Sequence, residues 1–135
     1  MNKEIARRFI QVWGQGNLDV IDELGAPSLS VQYPVIPQVI HGPAAFRKMM
    51  EGYRSALPDA ALRIDEEIGE GDKVVIRWTC SGTHQGSLLG VPATGKKVSW
   101  TGITIYRIVD GKVVDERGEE DAVGLFRQLG LVPKP

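Results

Sequence analysis

Five carboxylates crowd a short stretch near the C-terminal end, Asp115, Glu116, Glu119, Glu120 and Asp121, with Gly118 among them. Such a group manages proton transfer near neutral pH when burial raises its pKa, so an acid turned inward from a strand is the one that matters chemically. Strand alternation puts Glu116 on the same face as Gly118. The competing reading makes all five solvated charges at a strand end, with Asp121 capping the helix that follows.

The other groups with chemical potential are few. His84 closes Gly82-Thr83-His84 at the end of a strand, where a neutral imidazole could act as acid or base near pH 7, or simply as a local hydrogen-bonding group. Gln32 can hydrogen-bond a carbonyl but cannot transfer a proton; it either orients a substrate or is an exposed strand residue beside a packed Tyr33. Cys80 lies two residues after Trp78 on the same strand face and reads as a small buried apolar residue. His41, just before Gly42-Pro43, reads as a structural loop residue. Two histidines and one cysteine do not make a zinc ligand set. Gly90 to Lys96 nearly matches a phosphate-binding loop, but Lys97 replaces the Ser or Thr and the segment enters a strand, so no helix N-terminus completes a phosphate cradle.

The elements that must position these groups come from periodicity. Ile5, Phe9, Val12 and Trp13 recur at helical spacing and stop at Gly14 and Gly16-Asn17. Asn17 then caps a short helix bearing Leu18, Ile21 and Leu24, closed by Gly25-Ala26-Pro27. Leu29 to Tyr33 reads as a short strand, and Gly42-Pro43 opens a third helix with Phe46, Met49, Met50, Tyr53 and Leu57 as its apolar face. From Ala60 the period becomes two. Four antiparallel strands follow, divided at Glu70-Gly71-Asp72, at the Gly86–Gly95 loop and at the tight turn Asp110-Gly111, before a last helix from about Asp121 to Leu129.

The bulk properties narrow the classes. A chain of 135 residues, 42% hydrophobic and 24% charged, has the size and composition of one domain, assigned to residues 1–135. A formal charge of −1 with both signs interspersed argues against a nucleic-acid partner, and no apolar run is long enough for a membrane span. The N-terminus lacks the apolar core of a signal peptide, so a soluble, cytoplasmic protein is expected.

Several stretches carry a resemblance. Asn17 to Leu24 (NLDVIDEL), Val74 to Thr79 running on to Gly82-Thr83-His84, Leu89 to Lys96 (LGVPATGK), Tyr106 to Lys112 (YRIVDGK) and Leu125 to Gly130 (LFRQLG) together resemble the SnoaL-like polyketide cyclase family, within the nuclear-transport-factor-two-like superfamily, over nearly the whole chain. The resemblance implies an α+β fold in which a curved antiparallel sheet, with helices on its concave face, forms a cone-shaped pocket, a cystatin-like α+β barrel. It implies cofactor-independent acid/base cyclisation or isomerisation of a polyketide-like carbonyl compound, an acidic side chain shuttling the proton.

The family's acid falls at Gly118, which leaves Glu116 as the substitute acid/base. Similarity also places His84 near the cavity mouth and Gln32 where the family often has a histidine. Trp13, Tyr33, Met49, Tyr53, Trp78 and Trp100 are the large side chains expected to wall a pocket for a hydrophobic or aromatic ligand. A competing class is a non-catalytic binding domain that has lost the family acid. Epoxide hydrolysis through an Asp-Arg-Asp relay is disfavoured by the same Gly118. A homodimer through the outer sheet face, on strands Val74 to Val114, is compatible with either class.

Overall fold

The computed structural model describes residues 1–133. The chain begins with helix α1 (Asn2–Ile10), tightened into a 3-10 turn over Gln11–Trp13, and the short helix α2 (Val20–Leu24). Strands β1 (Gly25–Gln32) and β2 (Ile40–His41) precede helix α3 (Pro43–Ala56). Then come β3 (Ala61–Glu70), β4 (Lys73–Thr83), β5 (Lys97–Val109), β6 (Lys112–Glu120) and helix α4 (Ala122–Gln128).

The six strands form one curved, unclosed sheet in the order β2-β1-β6-β5-β4-β3. The three hairpins read from the sequence pair as expected, and Asp110 (φ 52°) with Gly111 (φ 76°) makes the β5–β6 turn, where both central residues need positive φ. Two features depart from the periodicity. β1 starts at Gly25 with no loop after α2, and it pairs parallel to β6. A parallel neighbour needs a long crossover, which α3 and the β3–β5 meander supply. Pro27 is accommodated because the β1 register is interrupted between Gly25 and Ser30, where no ladder N–H is required of it. His41 lies in the short strand β2 rather than in a loop.

β5 shows how sequence alternation becomes layer structure. Every second residue from Val98 to Ile108 is buried, and the intervening residues are exposed. On β6 the alternation is reset. Arg107 pairs with Asp115 but Ile108 with Val113, so Val114 is an extra residue, a β-bulge. A slip of one residue exchanges the two faces of a strand. The bulge therefore lets Val113 and Glu116 both point inward, and Gly118 and Glu120 follow Glu116 on that face.

The helices cover the concave face. α1 buries Ala6, Phe9 and Ile10, and α3 buries Phe46 and Met50. Phe9 stacks on Phe46 with ring centres 5.9 Å apart and meets Tyr106 of β5 edge-on, also at 5.9 Å. None of these three rings lines the open cavity of the molecule.

Candidate active site

The cavity has a volume of about 240 Å³. Its walls are mostly apolar and come from every layer: Trp13 after α1, Tyr33 after β1, Met49 and Tyr53 on α3, Trp78 on β4 and Trp100 on β5. All six large side chains expected at a pocket are on its surface. Val35, Ile36 and Leu62 add aliphatic wall, and Ser87, Leu88 and Leu89 bring the loop between β4 and β5 over it. Trp13 is a central element. Tyr33 and Tyr53 meet it edge-on at 5.3 Å and 5.0 Å, and the preceding carbonyl of Val12 accepts a hydrogen bond from Arg54 Nη2 at 3.0 Å.

Glu116 stands one layer behind this wall. Its side chain is fully buried, and Oε2 accepts hydrogen bonds from Tyr33 Oη at 2.5 Å and Trp13 Nε1 at 2.8 Å. Because the single Tyr33 proton goes to Glu116, the Thr104 hydroxyl, 2.9 Å away, must donate to the Tyr33 oxygen, while Trp78 Nε1 donates to Thr104 at 3.0 Å. Donors from β4, β5 and the residue after β1 thus converge in series on one carboxylate. Glu116 Oε1 and the nearby Tyr106 hydroxyl are both buried and make no hydrogen bond of normal geometry, yet Tyr106 is close enough to help lower the Glu116 pKa.

Burial dominates the electrostatics of this carboxyl. It raises the Glu116 pKa to about 7 even though Tyr33 and Trp13 pull it down by stabilising the anion. The same burial pushes the Tyr33 phenol well above its ordinary value, so Tyr33 remains a neutral donor.

Gly118 explains why the expected acid is missing. A Cβ built there would lie 2.1 Å from Tyr33 Cε1, so the tyrosine ring occupies the space a side chain at 118 would need. Gly102 is used in the same way on β5: its Cβ would lie 2.2 Å from Trp78 Cζ2. Two inward glycines thereby admit two large rings whose polar ends meet at Thr104.

Two of the sequence-chosen groups do not border the cavity. Gln32 is exposed and lines a separate surface groove with Arg117 and Glu119, because alternation that turns Tyr33 inward turns its neighbour outward. His84 is completely buried away from the cavity: its Nδ1 lies 2.9 Å from Thr94 Oγ1 and accepts the Thr94 N–H at 3.3 Å. With His84 N and O bonded to Lys96 and Gly95, it pins the base of the Gly86–Gly95 loop. Asp121 caps α4, accepting the Gly124 N–H at 2.9 Å, and Glu119 faces outward. Cys80 lies on the cavity wall with its thiol pushed up to about 11 by burial, which leaves it a poor nucleophile.

The carboxylate that does line the cavity is Glu120. Its Oε2 accepts from Trp100 Nε1 at 3.0 Å, and burial raises its pKa against the lowering effect of that bond. Sequence reasoning had the means to find it: Glu120 is two residues beyond Gly118 and four beyond Glu116, on the same strand face. Among the described residues no group of three histidine, cysteine or acidic side chains is placed to hold a metal ion. No described helix is long and apolar enough to cross a membrane.

The family model for the SnoaL-like polyketide cyclases matches residues 3–129. The chain belongs to this family. Aklanonic acid methyl ester cyclase DauD of Streptomyces sp. (strain C5) is 33% identical over 135 residues, covering 94% of this chain and 80% of the relative. The nogalonic acid methyl ester cyclase of Streptomyces nogalater is 32% identical over 127 residues, covering 90% of this chain and 92% of the relative. Among solved structures, TsrD from Streptomyces laurentii superposes with a TM-score of 0.84 at 32% identity, covering 96% of this chain and 95% of that one. The α+β SnoaL-like fold expected from the sequence is the observed one, as a curved six-stranded sheet that stays unclosed and carries an open cavity.

Proposed function

We propose that this SnoaL-like cyclase closes a ring in a fused-ring polyketide ester by an intramolecular aldol reaction, without a cofactor. The observation that carries the reading is the aromatic cavity of about 240 Å³ together with inward carboxylates on β6 whose pKa values are raised by burial. Flat tryptophan and tyrosine faces suit a planar substrate, and a desolvated carboxylate suits removal of a proton next to a carbonyl. An aldol closure moves one proton and forms one carbon–carbon bond, so acid/base groups are sufficient for it.

The test is incubation of the purified chain with aklanonic acid methyl ester, followed by chromatography and mass spectrometry. An isomer of unchanged mass, formed equally well after treatment with a chelator, is the expected product. Gly118 at the position of the family acid favours a second reading, a binding domain. Quenching of tryptophan fluorescence by the ester with no product would decide for that one.

Homodimerisation through the outer sheet face belongs to the same proposal. Ile68, Ile103 and Ile105 are exposed there, and Val75 lies between Ile68 and Ile105 in the strand register.

A further inference from the structure

We propose that Glu120, and not the more deeply buried Glu116, is the catalytic base that touches the substrate. The inference rests on the ring-closure reading above. Among the described residues Glu120 supplies the only carboxylate on the cavity surface, where all the other lining side chains are neutral. Glu116 is separated from the cavity by Trp13 and Tyr33, the two residues that donate to it. A general base must come within hydrogen-bond reach of the proton it removes. Glu120 meets that condition.

Its surroundings fit the role. Trp100 Nε1 holds Oε2 at 3.0 Å, which anchors one carboxylate oxygen and leaves Oε1 for the substrate. The titratable groups near enough to feel its charge are the Tyr53 phenol from α3 and the Cys80 thiol from β4, 3.0 Å from each other and both held neutral by burial. No cation among these neighbours ties the carboxylate into an ion pair, so its basicity is set by partial burial against one indole donor.

The step balances within one residue. Glu120 takes the proton from the carbon beside a carbonyl, the enolate carbon attacks a second carbonyl of the same molecule, and the alkoxide so formed takes the proton back from Glu120. One carbon–carbon bond and one O–H bond form as one C–H bond and one carbonyl π bond are lost. The neutral Tyr53 hydroxyl, also on the wall and 3.0 Å from Cys80 Sγ, would hold the developing enolate oxygen by turning its proton from the sulfur to the substrate. Glu116 is then a positioning residue that sets the orientation of Trp13 and Tyr33.

The test compares wild type, Glu120→Gln, Glu116→Gln and Trp100→Phe in the ring-closure assay, with ester binding followed by tryptophan fluorescence and folding by circular dichroism. Glu120→Gln should retain binding and lose about 10²–10⁴-fold in kcat. Trp100→Phe removes the donor that favours the anion, so the acidic limb of its kcat/KM profile should move to higher pH. A wild type that turns over the ester alongside an equally active Glu120→Gln overturns this proposal alone. An inert wild type overturns the ring-closure reading and this proposal with it. A Glu116→Gln loss as deep as the Glu120→Gln loss, with Glu120→Gln failing to bind, would also overturn it.

Discussion

Replacing Glu116 with Gln should flatten the pH dependence of folding stability. In the folded chain the Glu116 pKa is about 7, against an ordinary value of 4.5. The native state therefore binds more protons than the unfolded state between those values, and stability falls as pH rises. The contribution of this group is fully present below about pH 4.5 and is lost as pH rises through about 7. Between pH 5 and pH 8 that loss integrates to roughly 2–3 kcal/mol at 1.36 kcal/mol per pKa unit. Gln cannot ionise, so its stability curve should lack that decline while keeping whatever Glu120 adds with the same sign. Urea unfolding of both proteins at several pH values in this window measures the difference directly, since the slope with denaturant should be shared. Wild-type and variant curves running parallel from pH 5 to pH 8 would refute the assignment of Glu116 as a buried, raised-pKa acid.

Gly118→Ala places a methyl group on the Tyr33 ring, where the Cβ would be 2.1 Å from Cε1. Overpacking of about 1–3 kcal/mol and weakening of a hydrogen bond to a charged group worth about 1.5–3 kcal/mol should together cost about 3–5 kcal/mol in urea unfolding. Combined with Tyr33→Ala, the loss should fall short of the sum of the two single losses, and strictly additive effects would show that the two positions are not in contact. Ile105→Arg on the exposed outer face should weaken self-association at least ~10-fold, about 1.4 kcal/mol, in sedimentation experiments, while unfolding stability of the subunit stays within about 0.5 kcal/mol. A wild type that sediments as a monomer would remove the dimer from the proposal.

Glu120 and Glu116 show where sequence reasoning reaches its limit at the site. Alternation alone puts Glu116, Gly118 and Glu120 on one face, but it does not say which end of that face meets the core and which meets the cavity. Curvature of the sheet and the seating of Trp13 and Tyr33 decide that, placing Glu116 behind the wall and Glu120 on it. Residue type and the family pattern point to His84 and Gln32. Their distance from the cavity follows from the fold of one loop and from the inward turn of Tyr33.

What the sequence determined by itself is local or periodic. The hairpin at Asp110-Gly111, the capped start of α4 at Asp121, the Pro43 opening of α3 and the inward rows of β4 and β5 all follow from backbone conformational preference or from a period of two or 3.6. Tertiary structure decided whatever requires partners distant in the chain. The bulge at Val114, the parallel docking of β1 on β6 and the filling of the space over Gly118 by Tyr33 have no local signature. They exist because burying the concave face and satisfying its hydrogen bonds brings together strands separated by some 85 residues, as Ser30 and Asp115 are.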